Sequence, residues 1–314
     1  MSHHLLHVFT HGAFLSKEKG VLLMKSPQEK EIRQMPLEDI RALILAARGI
    51  CLSNDLIRGL GEAQAVILHC DCRYRPAAIT VPLTQTTRPE IIENQANRSL
   101  KLHERLWQRI LRNKVRNQMQ NLRRLGRLSD ELWEEISKPG FSPDESLWAR
   151  RYWREFFSLM GKPEELRDQE GHTPLNAMLN YGYAVLQSLV HRAIVIHGMI
   201  PNLGFHHAAR YRADPLVYDL MEPLRAFVEA MLRDFCQKNE PQTETLPLWA
   251  RHIASGLAEL RVETPVRGRQ RLLHALDEWV SSVARCLEYK SIAHYWEITL
   301  DQKSLQNGLD HGDV

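Results

Sequence analysis

The sequence predicts an α+β protein: a strand-rich N-terminal domain over residues 1–86 and an all-α C-terminal domain over 87–314. Three observations give that order. Up to about residue 86 the apolar runs are short and bounded by Gly and Pro, which is how strands are punctuated. From about residue 90 apolar residues recur at steps of three and four, the helical period. Between the two, Thr84-Gln-Thr-Thr-Arg-Pro89 is a polar connector ending in proline. A chain of 314 residues suits two domains, and 44% apolar content supplies real cores.

Taken in order, HHLLHVFT and Gly20–Lys25 form a pair of short runs around the turn-prone Lys17-Glu-Lys-Gly20. Pro36–Ile40 introduces the apolar run 42–46. Leu52–Ile57 opens a short helix with a cap at Ser53 or Asn54. Two further strands are expected at 63–70 and, bounded by prolines, at 75–82. Beyond the connector, Leu102, Leu106, Ile110 and Trp107, Leu111, Val115, Met119, Leu122 line one side of a long helix. A second helix starts after Pro143-Asp144. A third, from Pro174 to about His197, is apolar on most sides and ends at Gly198 and Pro201. Residues 237–246 read as a surface loop, two more helices follow at roughly 248–260 and 268–294, and the last dozen residues read as disordered.

Net charge is only +3, so the distribution of charge says more than its total. Lys101–Arg127 holds nine Lys or Arg and one acid, Glu104. Arg105, Arg109, Arg112 and Arg116 share a face there. One acid cannot neutralise that face by local pairing, so it is either a solvated basic surface or a phosphate-facing one. Arg112 and Arg116 are the DNA-contact candidates on this helix. Five cysteines, an odd number at irregular spacing, favour reduced thiols over a disulfide framework. No run approaches the roughly 20 apolar residues of a membrane span, and the N-terminus has no signal-peptide pattern. A cytoplasmic protein without a membrane partner is expected.

The chemistry concentrates in residues 202–225, NLGFHHAARYRADPLVYDLMEPLR. Two imidazoles, His206 and His207, precede a turn-prone segment ending at Pro215. Asp219 and Glu222 then stand three apart, on one face of a helix. Imidazole with carboxylates is a ligand set for Mg²⁺ or Mn²⁺ in phosphate chemistry. Glu145, in the first turn of a helix and close to Arg150 and Arg151, is the best candidate for a third group. One ion held by Glu145, His207 and Glu222 would leave room for phosphate oxygens, with Arg150, Arg151 or Arg225 neutralising the scissile phosphate. The plainer alternative stays open: Glu145 as a helix-dipole partner, Asp219 and Glu222 pairing with Arg225, and both histidines as loop residues.

The strings Pro174–Tyr183 (PLNAMLNYGY), Gly198–Phe205 (GMIPNLGF) and Asp219–Arg225 (DLMEPLR) resemble, in order and spacing, blocks of the CRISPR-associated spacer-acquisition integrase family. Glu145 with Ala149, Tyr152 and Trp153 is similar to that family's first ligand block. Residues 88–122, with Asn94-Gln95 and Asn117-Gln118, are similar to the branch that accompanies single-protein effector systems. The resemblance covers most of the chain past residue 88.

That resemblance implies a homodimerising strand-rich N-terminal domain and a helical catalytic domain. It places the metal site on Glu145, His207 and Glu222, with Asp219 as an auxiliary acid and Mg²⁺ or Mn²⁺ as cofactor. The family's histidine is fourth in a Gly-Phe-Leu-His block; here His207 holds that place and His206 replaces the apolar residue. The implied reaction inserts foreign DNA fragments into a repeat array: a 3′-hydroxyl attacks a phosphodiester. Implied partners are double-stranded DNA, a second copy of the chain, and a small ferredoxin-like subunit bridging two dimers. The rival functions are a metal-dependent repair nuclease using water, and a non-enzymatic helical DNA-binding scaffold.

Overall fold

The computed structural model describes residues 4–27, 33–71, 76–83, 88–97, 100–207 and 213–300. Among the described residues the N-terminal part holds eight strands in two sheets. In the first, β1 (His4–Val8), β5 (Ile40–Leu45), β7 (Val66–Cys70) and β8 (Pro76–Thr80) lie in that spatial order. β1, β5 and β7 are mutually parallel and β8 is antiparallel. The second sheet runs β4 (Arg33–Pro36), β3 (Val21–Lys25), β2 (Phe14–Glu18), β6 (Cys51–Leu52). β2 and β3 form the hairpin, turning at Lys19 and Gly20, both with positive φ. The strand paired with Val21–Lys25 across that turn is therefore Phe14–Glu18; His4–Val8 is β1 and joins β5 instead. Helix α1 (Asn54–Glu62) follows β6. Ser53 caps it, its Oγ accepting from the Leu56 N–H at 3.2 Å.

The central strands β5 and β7 of the first sheet are buried on both faces, so they are mostly apolar rather than alternating in polarity. Ala42, Ile44, Val66 and Leu68 face the helical core. Their neighbours Leu43, Leu45 and Ile67 face a second core built with α1 and the hairpin sheet. Period-two alternation thus divides β5 and β7 between two cores.

Helices dominate from residue 89: α2 (Pro89–Ala96), α3 (Leu100–Arg124), α4 (Asp130–Ser137), α5 (Glu145–Leu159), α6 (Pro174–Ile196), α7 (Pro215–Cys236), α8 (Leu246–Glu259) and α9 (Leu272–Glu288). This half is not purely helical. β9 (Arg261–Thr264), β10 (Gly268–Arg271) and β11 (Thr299–Leu300) form a small sheet in the order β10-β9-β11. Residues 268–271, expected to open a helix, are instead an edge strand. Val262 and Thr264 point inward while Arg261 and Glu263 point out, a strand alternation too short to register against the helices around it. The expected disordered tail and most of the connector, residues 84–87, lie outside the described residues. No helix among those described is long and apolar enough to cross a membrane.

α3 and α6 both run through the core. On α3, Asn113, Asn117 and Asn121 recur every fourth residue and are all buried. Asn113 donates to the Ile298 carbonyl, Asn117 to Pro223 and Ile298, and Asn121 to Ala226. A helix with many polar residues is thereby buried with the Nδ2 donors of those amides engaged, which removes part of the cost of taking them out of water.

Candidate active site

Three helices and one loop bring the chemical groups together. Asp144 caps α5, its Oδ1 accepting from the Leu147 N–H at 3.0 Å, and that sets Glu145 at the first helical position. Gly198, with φ of +76°, terminates α6, and the chain then turns through 199–207. Pro215, at the start of α7, opens the helix that carries Asp219, Glu222 and Arg225. The site lies in a cleft of about 500 Å³ lined by Lys114, Glu145, Trp153, Arg167, His207 and Glu222, among others.

Asp219 is fully buried and works as the keystone of the loop. Its carboxylate accepts from the backbone N–H groups of Phe205, His206 and His207. It also meets His207 Nδ1 at 2.6 Å. A buried carboxylate on a histidine's Nδ1 fixes the ring's orientation and directs Nε2 away from it. Gly204 permits this approach: a Cβ there would lie 2.9 Å from Asp219 Oδ2 and 2.7 Å from the His207 carbonyl oxygen.

Glu145 and Glu222 are brought together by a third residue. Lys114 Nζ, from α3, stands 2.9 Å from Glu145 Oε1 and 2.7 Å from Glu222 Oε2. Burial opposes the ammonium, but Glu222 and Glu145 outweigh it and raise the Lys114 pKa. Arg225 Nε donates to Glu222 Oε1 at 3.0 Å. Burial alone would raise the Glu222 carboxyl, yet Arg225, Lys114 and more weakly His207 hold it at about 2. Arg225 also lies over the Tyr183 ring at 4.6 Å, and Arg167 over the same ring at 5.4 Å. Tyr183 in turn donates to the buried Glu229 at 2.7 Å.

The expected residues therefore gather unevenly. Glu145, Glu222, His207 and Arg225 share the cleft, with Asp219 behind the imidazole. Among the described residues, no three His, Cys, Asp or Glu side chains stand close enough to hold one metal ion together; the positive charge between the two glutamates is Lys114. Arg150 is exposed and bonds back to the Ser146 carbonyl.

Arg112 and Arg116 do not present a phosphate-facing surface. Arg112 meets Glu297 at 2.7 Å and donates to the Pro139 carbonyl at 2.6 Å. Arg116 meets the other Glu297 oxygen at 2.6 Å and donates to the carbonyls of Ile136, Ser137 and Lys138. Their neutralising acid lies about 180 residues away in the chain, where local pairing rules cannot see it.

Lys114 was indistinguishable from its basic neighbours in the sequence. The signal that marks it is its place beside the Asn113, Asn117, Asn121 polar stripe, which belongs to a buried helix face.

The profile of the family described as "CRISPR associated protein Cas1" matches residues 6–139 and 144–246. The CRISPR-associated endonuclease Cas1 2 of Pyrobaculum aerophilum is 31% identical over 260 residues, covering 76% of this chain and 85% of its own. A casposase bound to its integration product superposes with a TM-score of 0.76 at 18% identity over 98% of each chain. A chain of a Cas6-RT-Cas1–Cas2 complex superposes with a TM-score of 0.67 at 13% identity, over 95% of this chain and 36% of that one. Those two likenesses speak to the α+β fold, whereas the profile and the sequence identity speak to descent. With its profile match spanning most of its length, the chain belongs to the Cas1 family of CRISPR-associated proteins.

Proposed function

We propose that this chain is a metal-dependent DNA integrase that inserts foreign DNA fragments into a CRISPR repeat array. The supporting observation is the gathering of Glu145, Glu222 and His207 in one cleft walled by arginines, in a family whose relatives are named endonucleases.

The donor types, two carboxylates and an imidazole lining one cleft, suit Mg²⁺ or Mn²⁺, and their side chains would draw together on the ion. Glutamates from two different helices already share one cation, and hard divalent ions take carboxylate oxygens, with Mn²⁺ also accepting imidazole. His207 is backed by a carboxylate, the usual outer partner of a metal-bound histidine. Glu145, His207 and Glu222 would hold the ion. When bound, it would polarise the scissile phosphodiester and stabilise the attacking and leaving oxygens.

The chain's own groups do the rest. Asp219 holds the proton of His207 at Nδ1 and keeps Nε2 available toward the cleft. Arg225, locked by Glu222 and Tyr183, and Arg167 beside it supply fixed positive charge for a phosphate group. The reaction exchanges one phosphodiester for another: the fragment's 3′-hydroxyl forms the new P–O bond as a repeat-strand P–O bond breaks. No nucleotide is consumed.

Insertion on two strands requires two such sites held a fixed distance apart. That favours a homodimer through the strand-rich N-terminal domain, residues 1–86, with the catalytic domain over 87–314. It also favours a small ferredoxin-like subunit bridging dimers on double-stranded DNA. A cytoplasmic location follows from that substrate.

A strand-transfer assay tests the reading. Supercoiled plasmid carrying a repeat is mixed with short duplex fragments, the small subunit and Mg²⁺ or Mn²⁺. Covalently joined product is expected, and it disappears with EDTA, with Glu145→Ala and with Glu222→Ala. Hydrolysis without joined product would make the protein a nuclease, and joining that survives both substitutions would remove the site.

A further inference from the structure

We infer that Lys114 is the resident counter-ion of the active site: its ammonium holds Glu145 and Glu222 together and must leave before a divalent cation is ligated there. The inference rests on the metal-dependent reading above and concerns which residue governs loading of the site.

The geometry leaves little choice. A single nitrogen lies within 2.9 Å of one oxygen from each glutamate. The Lys114 side chain is 11% exposed and that of Glu222 7%, so solvent does little to screen that pair, while Glu145, 37% exposed, opens to the cleft. Mg²⁺ and Mn²⁺ bind carboxylate oxygens at roughly 2.0–2.2 Å. An ion at that distance from Glu145 Oε1 and Glu222 Oε2 takes the space and the lone pairs that Lys114 now uses. An ammonium left beside a dication would be repelled at close range in a poorly screened cleft. The two cations are therefore alternatives.

The arrangement also has a structural purpose. Glu145 opens α5, Glu222 lies within α7 and Lys114 within α3. Three helices meet at one nitrogen, so two carboxylates that would otherwise repel each other are held together at ammonium distance, from which they close in when a smaller, more highly charged ion replaces it. Arg225 cannot substitute, because it engages the other oxygen of Glu222. Lysine suits exchange better than arginine: it is a compact point charge on a flexible four-carbon stem, and the adjoining cleft gives the freed ammonium somewhere to go. Lys114 is thus a positioning residue that competes with the metal.

The test measures Mn²⁺ binding directly, without DNA, by the electron paramagnetic resonance signal of the free ion. Lys114→Gln should bind Mn²⁺ about tenfold more tightly than the parent protein, and its thermal midpoint should be lower in chelator, with the gap closing at saturating Mn²⁺. Glu145→Gln should weaken binding in both backgrounds. Equal or weaker Mn²⁺ affinity in a folded Lys114→Gln protein overturns the inference.

A measurement on the unmodified protein guards against a variant that fails to fold. Acylation of Lys114 by an amine-reactive ester, read by mass spectrometry, should be slow in chelator and several-fold faster at saturating Mn²⁺. An unchanged rate with Mn²⁺ bound means the ammonium has not left, and overturns it as well. If parent and variant both fail to bind Mn²⁺, and Glu145→Gln changes nothing, the metal site itself is wrong and this inference goes with it.

Discussion

His206 lies flat against Trp107, the ring centroids 4.2 Å apart and the planes 2° from parallel. The adjacent His207 meets the same indole edge-on at 5.8 Å and turns its Nδ1 to Asp219. Neighbouring imidazoles thus have different environments: one is stacked on a core aromatic and the other is aimed by a buried carboxylate.

That division predicts unequal mutants. His206→Ala should cost about 1 kcal/mol of stability from the lost stacking and leave most joining activity. His207→Ala should abolish joining without comparable loss of stability. Urea unfolding and strand-transfer rates on the same preparations check both. Equal loss of joining from the two would return His206 to the site.

Asp219 and Gly204 should behave as a pair. Asp219→Asn keeps the size but presents an amide where four N–H groups now donate, so a donor faces donors. Joining should fall by about 10- to 100-fold. Gly204→Ala places a methyl group against Asp219, Pro215 and the His207 carbonyl and should lower joining through the same loop. The rate with the two changes combined should be little worse than with Asp219→Asn alone, because both displace one imidazole. Additive losses would mean the residues act separately.

Arg112 and Arg116 should be stability residues. Replacing either with Met leaves Glu297 partly unpaired in a poorly solvated setting, at a cost of about 3 kcal/mol. Denaturant midpoints should fall, while the salt dependence of duplex binding by the folded fraction should not change. A flattened salt slope with unchanged stability would assign them to DNA instead.

His7, in β1, joins the strand-rich part to the helices. Its ring is hydrogen-bonded to the Tyr181 hydroxyl on α6. Burial pushes its pKa down to about 3, opposed by the Ala250 backbone and assisted by Arg251. Because the folded value lies below the ordinary 6.5, the unfolded chain takes up the proton first. The neutral ring costs nothing above pH 6.5, and stability is lost as the pH falls from there toward 3. The loss should be about 1 kcal/mol per pH unit. Other partly buried histidines, such as His69, His197 and His252, are shifted in the same direction by burial. The informative quantity is therefore the difference in slope between the parent protein and His7→Gln, measured by urea unfolding at pH 7 and pH 5. Identical slopes would show that His7 is not held neutral.

Local signals in the sequence were reliable where local physics decides. Ser53 as a cap, the α5 start after Pro143-Asp144, the α6 stop at Gly198 and the α7 start at Pro215 each depend on residues within one turn of the boundary. Two features depended on distant chain. Residues 268–271 became a strand because β9 offered them a partner. Arg105 and Arg109 stay exposed, but Arg112, Lys114, Arg116 and Arg124 of α3 are drawn inward because Glu297, Glu145, Glu222 and Asp234 reach them from elsewhere in the chain.

By itself, the sequence determined that strands come first and helices follow, where several helices start and stop, and which acids and imidazole, Glu145, Glu222 and His207, are the candidates for the chemistry. Tertiary structure alone decided which cation each of those acids meets. Charge pairing depends on distance through space, and a nitrogen 2.7 Å from Glu222 across a helix interface leaves no mark on the residues next to either partner in the chain.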